Sequence, residues 1–285
     1  MLLWEPMNLF KTTHCLFLLP LILLLTGFSY DRSPSTIQLP ILWQNSNDPY
    51  LTKLRQDYHL DDLVQDAQTD YEKILLATHW VHTRWQHNGW NHPPVSDPLA
   101  ILELVQKGER FACVEYSIVL AGVLNSLAIP TRVVSLKMAD VETRELSAGH
   151  VVVESYLTQL NKWIMIDAQM DAIPTASGLP LNAIEFQQAI HANNQDLAID
   201  SLNSNSIALC PNIQEYFFWI APYLYYLDTP LNNRFTYGQT KSRFHEGRLM
   251  LVPLGAKNPT VFQKDTSLTN FLYTHSVETF YKKPV

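Results

Sequence analysis

A mixed fold, helical through its first half and strand-rich beyond, is predicted by three stretches of this sequence. From Cys113 to Leu127 the apolar residues Val114, Ile118, Ala121, Val123, Leu124 and Leu127 recur at mixed three- and four-residue steps. That pattern suits a helix buried on most sides, and Ala128-Ile-Pro130 stops it. Thr131 to Lys137 alternates and is β-branched, which predicts a strand. His150 to Leu157 and Lys162 to Asp167 are two further β-rich runs joined by Thr158-Gln-Leu-Asn161, which predicts a hairpin.

A chain of 285 residues, 47% hydrophobic and 16% charged, can bury a substantial core and is not a disordered protein. Its formal charge of -7, with no Lys/Arg run longer than a pair, lacks the basic footprint needed to bind nucleic acid or an anionic membrane. Those two partner classes are set aside.

Taken in order, the chain opens on Lys11, an apolar run from Cys15 to Leu25 and then Thr26-Gly-Phe-Ser29. This is the order of a secretory signal, residues 1–29, with cleavage after Ser29. The run is short for a membrane span, so export to a periplasmic or extracellular space is expected. The alternative is retention through residues 12–26 as an anchor, and no other integral membrane segment is expected. Residues 30–66 are read as a linker and N-terminal helices, with an extended arm interrupted at Pro40 and short helices between Asp48 and Val64. Thr69 caps a stronger helix from Asp70 to about Gln86, which should pack on the cysteine helix. Asp97 to Val105 is a short helix leading into Gly108, and residues 139–148 are a polar loop. Residues 173–285 make a C-terminal extension of mixed helix and strand. Ala183 to about Leu197 is helical, while Ile213 to Leu227 is an apolar run broken by Pro222 that suits a buried core helix or a cleft wall. Arg248, Val261 and Phe271 begin strands of an appended subdomain or a sheet extension.

Cys113 stands at the first turn of its helix, where unsatisfied N–H groups and the positive helix end favour a thiolate. If the hairpin loop holds an even number of residues, His150 and Asp167 fall on one face, directly opposite or offset by two or four positions, and a small offset keeps them within reach, whereas an odd loop or a bulge separates them. A thiol, an imidazole and an orienting carboxylate are the parts of an activated nucleophile, with the Cys113 N–H as a natural oxyanion donor. Two other readings of Cys113 stand beside this one. Loss of the signal removes Cys15 and leaves Cys113 and Cys210, which an exported protein can pair as a disulfide, and a buried cysteine can be inert.

The segment from His79 to Pro94 holds His79, His82, His87 and His92 among Trp80, Trp85 and Trp90. No carboxylate lies among these histidines and only the first pair can share a helix face, so no metal site is read there. The three indoles are cleft candidates, and any of them could donate its N–H to an oxyanion. No cofactor is called for.

The order Cys113, His150, Asp167, with Phe-Ala-Cys-Val-Glu-Tyr-Ser opening a helix and Leu-Ala-Ile-Pro-Thr-Arg-Val-Val closing it, resembles the transglutaminase-like superfamily, a branch of the papain-like thiol enzymes. The resemblance covers about residues 70–170 and implies a catalytic core at 67–172. It implies an α+β fold with the cysteine helix packed on an antiparallel sheet. It also implies Cys113 as nucleophile, His150 as general base and acid, and Asp167 as the orienting member. Ala128 stands where that family usually has glycine, Val152 where it commonly has tryptophan and Ala168 where it often has proline. The expected activity is therefore that of an exported thiol enzyme acting on peptide or protein amide bonds, by hydrolysis before transfer to an amine. A non-catalytic binding or envelope-assembly protein on the same fold is the alternative.

Overall fold

A computed structural model of the chain describes residues 29–31, 41–202, 212–238 and 247–284. Residues 1–28 of the stretch read as a secretory signal, most of the expected extended arm and Cys210 lie outside the described residues. The first half is helical: α1 (Pro49–Asp57), α2 (Leu60–Leu63), α3 (Asp70–His82), α4 (Pro98–Gln106) and α5 (Cys113–Ser126). Then follow β1 (Thr131–Lys137), β2 (Gly149–Leu157), β3 (Lys162–Ile166), β4 (Ile173–Ala176), β5 (Leu179–Pro180), α6 (Ala183–His191) and β6 (Leu197–Asp200). The chain continues with α7 (Ile213–Ile220), a 3-10 turn (Ala221–Tyr223), β7 (Tyr226–Pro230) and β8 (Arg248–Leu251). It closes with β9 (Val261–Phe262), β10 (Thr266–Ser267), β11 (Phe271–Thr274) and α8 (Val277–Phe280).

One six-stranded sheet in the order β11-β8-β7-β1-β2-β3 divides the molecule into two apolar layers. Val133, Val151, Val153, Ile164 and Ile166 face α5, which is packed in turn by α1, α3 and α4. Alternate residues Val134, Leu136, Val152, Met165, Leu227, Leu249 and Leu251 face the other way, toward α6, α7 and α8, as the two-residue period of a strand requires. The fold is α+β, and the sheet is antiparallel except that β11 runs parallel to β8.

The expected helices form with local chemistry that explains their ends. Thr69 Oγ1 accepts from Glu72 N at 3.1 Å while Glu72 Oε2 accepts from Thr69 N at 3.0 Å, a reciprocal cap that starts α3. This helix stops at His82, short of Gln86: Thr83 N still bonds His79 O, but Arg84 N turns to Val81 O, three residues back, and the α pattern ends there. Asp97 caps α4 through Ala100 N at 2.9 Å. At the end of α5, Ala128 takes φ +62° and Ile129 N returns to Leu124 O at 2.9 Å. That left-handed turn is a place for glycine, and an alanine there is strained. Gly122, in the middle of α5, touches both α4 and α1. A Cβ built on it would lie 2.4 Å from Pro98 Cγ and 3.2 Å from Leu54 Cδ2.

Two expected boundaries dissolve in the packing. Leu51, Leu54 and Leu60 of the stretch read as linker and N-terminal helices are fully buried in the layer around α5. The extension contributes β7, β8 and β11 to the same sheet as β1 to β3, so it is a sheet extension and not an appended subdomain. The helix expected to reach Leu197 ends at His191, and Leu197–Asp200 turns into a strand beside β4.

Candidate active site

Cys113 belongs to the layer on one face of the sheet, whereas His150 pairs with Leu136 on the other. They meet at the start of β2, where the first turn of α5 is tied down. Ser117, one turn after the cysteine, places its hydroxyl 2.9 Å from Val151 O and 3.0 Å from Cys113 O. Glu115 is buried and its Oε2 accepts from Ala112 N at 3.1 Å, while Oε1 lies 3.3 Å from His92 Nδ1. As the first residue of α5, Cys113 directs its own N–H out of the helix with no intrahelical acceptor. Cys113 is in no disulfide and the residue is half-buried.

The hairpin loop holds four residues, since Leu157 pairs with Lys162, and the register sets Asp167 two positions from the place opposite His150. Both side chains share a face and meet, His150 Nε2 lying 2.8 Å from Asp167 Oδ2. With Nε2 engaged, Nδ1 is the ring nitrogen left for the Cys113 side chain, which adds to Asp167 in holding a proton on His150. His150 is 3% exposed and Asp167 is 0% exposed. Burial pulls the imidazole toward its neutral form, but the Asp167 charge, the hydrogen bond to it and the Cys113 side chain outweigh burial and raise its pKa to about 10. The structure thus brings Cys113, His150 and Asp167 into one cluster.

The three indoles expected to line a cleft do not join that cluster. Trp85 is buried, stacked on Tyr116 at 4.2 Å, and spends its N–H on Phe111 O at 3.2 Å. An oxyanion cannot be offered an N–H already committed to a backbone carbonyl. Trp80 packs on the α5 layer, edge-on to Tyr58 at 5.9 Å and beneath the Arg84 guanidinium at 4.7 Å. Trp90 is 85% exposed. Trp85 does line a groove of about 500 Å³ built from the end of α3 and the turn Gly108–Arg110 just before α5, with Arg84 and Arg110 among its walls. None of Cys113, His150 and Asp167 lines that groove. His87, in the same segment, is lowered in pKa by burial and by the charge of His150, opposed by Asp167, which puts it within electrostatic reach of the cluster.

The aromatic wall over the imidazole comes from the extension. Trp219 meets the His150 ring edge-on at 4.9 Å, Tyr223 lies 6.1 Å from it, and the Tyr216 hydroxyl donates to Asp167 Oδ2 at 3.1 Å. Tyr216, Trp219 and Tyr223 fall on one helical face at steps of three and four. That spacing, inside a run already read as a core helix or cleft wall, is the signal that finds them.

Residues 59–168 match a family model described as the transglutaminase-like superfamily. Among curated proteins none matches. Of solved structures, a candidate cysteine protease from Cytophaga hutchinsonii is 13% identical over 57% of this chain and 55% of that one, with a TM-score of 0.34. A TGase is 21% identical over 43% of this chain and 31% of that one, TM-score 0.30. Red sea bream transglutaminase is 16% identical over 51% of this chain and 28% of that one, TM-score 0.30. The matched part therefore spans about half or less of each of those chains.

Proposed function

From the premise that residues 59–168 are a transglutaminase-like core, we propose that this protein is an exported thiol enzyme acting on peptide or protein amide bonds. The observation that carries the reading is the 2.8 Å bond from His150 Nε2 to Asp167 Oδ2, with the Cys113 side chain on the remaining side of the ring. Such a ring, held in one orientation and kept protonated by a buried carboxylate, stabilises a neighbouring thiolate.

The thiolate attacks the carbonyl carbon of the amide, and the Cys113 N–H receives the negative charge that develops on the carbonyl oxygen. As the C–N bond breaks, Nδ1 of the His150 imidazolium gives its proton to the leaving amine, so a thioester and a neutral imidazole remain. Water then attacks the thioester, the imidazole takes its proton and the thiolate departs with a carboxylic acid as product. An amine in place of water gives transfer instead, with the same proton bookkeeping. Hydrolysis is the first choice. The wall formed by Trp219 and Tyr223 shields the imidazole, which strengthens its pairing with Asp167.

The direct test is capture. Peptide and amine libraries incubated with the protein and with Cys113→Ala should yield a thioester, a cleaved product or an amine conjugate only with the native cysteine. Identical product profiles from the two proteins would leave the fold as a non-catalytic binding module. Export is tested separately by N-terminal sequencing of the mature protein recovered outside the cytoplasm, where a start at Tyr30 is expected.

A further inference from the structure

We infer that Tyr216 is a positioning residue for the catalytic carboxylate, holding Asp167 Oδ2 in line with His150 Nε2. The inference rests on the thiol-enzyme reading above and concerns a residue outside the segment that carries the family likeness.

Asp167 begins a tight turn that closes when Asp167 N bonds Ala172 O at 2.8 Å and Ala172 N bonds Asp167 O at 3.1 Å. Its Oδ1 accepts from Met170 N at 3.2 Å inside this turn. The turn is braced from α3 by His79 Nδ1, 2.8 Å from Asp171 Oδ2, and by His82 Nδ1, 3.0 Å from Gln169 O. These contacts place the turn and one carboxylate oxygen. They leave the other oxygen to be oriented by whatever bonds it. Among the described residues two groups do, His150 Nε2 at 2.8 Å and the Tyr216 hydroxyl at 3.1 Å, both on Oδ2.

Tyr216 reaches Asp167 from α7, on the far side of the sheet from α3. Its ring is fully buried, stacked on Phe186 at 6.3 Å and tilted against Trp219 at 6.0 Å. A ring so packed carries its hydroxyl to one place, and a phenylalanine would fill the same space. Burying a phenol is unfavourable unless its hydroxyl is bonded, so the Asp167 contact accounts for tyrosine at this position. Without the hydroxyl, Oδ2 can turn away from Nε2, the imidazolium loses its aligned counter-charge, and the thiolate beside it becomes less favourable.

The experiment measures alkylation of Cys113 by iodoacetamide, in which the thiolate displaces iodide to give a thioether, followed on the Cys113 peptide by mass spectrometry across pH. Native protein should react faster than a free thiol at about pH 6. Tyr216→Phe should slow that reaction about tenfold, the loss expected when the aligned counter-charge of the neighbouring imidazolium is removed. Near pH 9.5, where an ordinary thiol ionises unaided, the two rates should converge. A Phe186→Leu variant loosens the ring packing but keeps the hydroxyl, and should retain the low-pH rate. In an Asp167→Asn background, Tyr216→Phe should add nothing. Equal low-pH rates for native and Tyr216→Phe proteins would overturn the positioning role while leaving the thiol enzyme standing. So would an equal change at both pH values, a loss in Phe186→Leu as large as in Tyr216→Phe, or a further loss on top of Asp167→Asn. Native protein no faster than a free thiol at low pH would overturn the thiol-enzyme reading, and the inference with it.

Discussion

His150 lies at the centre of the site's geometry, and its protonation contributes to the fold's pH response. Its pKa is raised to about 10 in the folded protein against about 6.5 when unfolded. A group bound more tightly to its proton in the folded state stabilises that state fully below about pH 6.5, and the contribution is lost as pH climbs through about 10. Urea titrations should therefore show native protein losing stability across that window, and His150→Gln should lack that loss. If both proteins lose stability in parallel, the imidazole is not protonated as described. Cys113 alkylation gives the functional counterpart: His150→Ala should abolish the low-pH advantage of the thiol, and an unchanged rate would reject the pairing. At Ala128 the strain is conformational. Replacing it with glycine relieves a left-handed alanine, partly offset by the entropy of glycine in the unfolded chain. Thermal unfolding should move up by about 1–3 °C, and a fall would mean that the Ala128 methyl contributes more than its backbone strain costs.

Among the elements, α5 carries the most constraint, because α1, α3, α4 and the sheet all press on it. Gly122 lets Pro98 and Leu54 come close, so Gly122→Ala should force α4 away and destabilise the fold by about 1–3 kcal/mol, read as a lower denaturation midpoint. A neutral outcome would mean that the start of α4 yields easily. The face shared by Tyr216 and Trp219 of α7 and Tyr223 of the 3-10 turn after it is the feature that periodicity could find but not assign. Its apolar residues look alike whether they fill a core or wall a site. Only the fold of β7 back beside β1 brings that face over His150.

For the whole molecule, the consequence of one shared sheet is that the site and the extension stand or fall together. Arg132 on β1 is buried against Glu154 at 2.8 Å and donates to Phe280 O at 2.7 Å, with its guanidinium 4.4 Å from the centre of the Trp163 ring. The Tyr281 hydroxyl donates to Glu154 at 2.9 Å and Trp163 Nε1 to Lys282 O at 3.0 Å. A chain ending at Ser276 removes Phe280 from the core along with these partners. It should lose about 3 kcal/mol or more of stability by denaturant titration, the scale of emptying a buried phenylalanine site. A chain ending at residue 172 loses three of the six strands and the Tyr216 contact, and is expected to give no cooperative unfolding transition at all.

By itself, the sequence determined the elements whose periods and caps are local: α3 from its Thr69 cap, α5 through its apolar steps, and the two β-rich runs of the β2–β3 hairpin, while the register showed the loop to be even and so set His150 and Asp167 on one face. Charge, strand alternation and helix caps act over a few residues, so they can be read along the chain. Tertiary structure alone decided which rings surround the imidazole. Trp85 looked free until Phe111 O took its N–H, and Tyr216 gained its partner from a turn 49 residues earlier. Contacts between residues so far apart depend on how the strands are ordered, and no local period encodes that order.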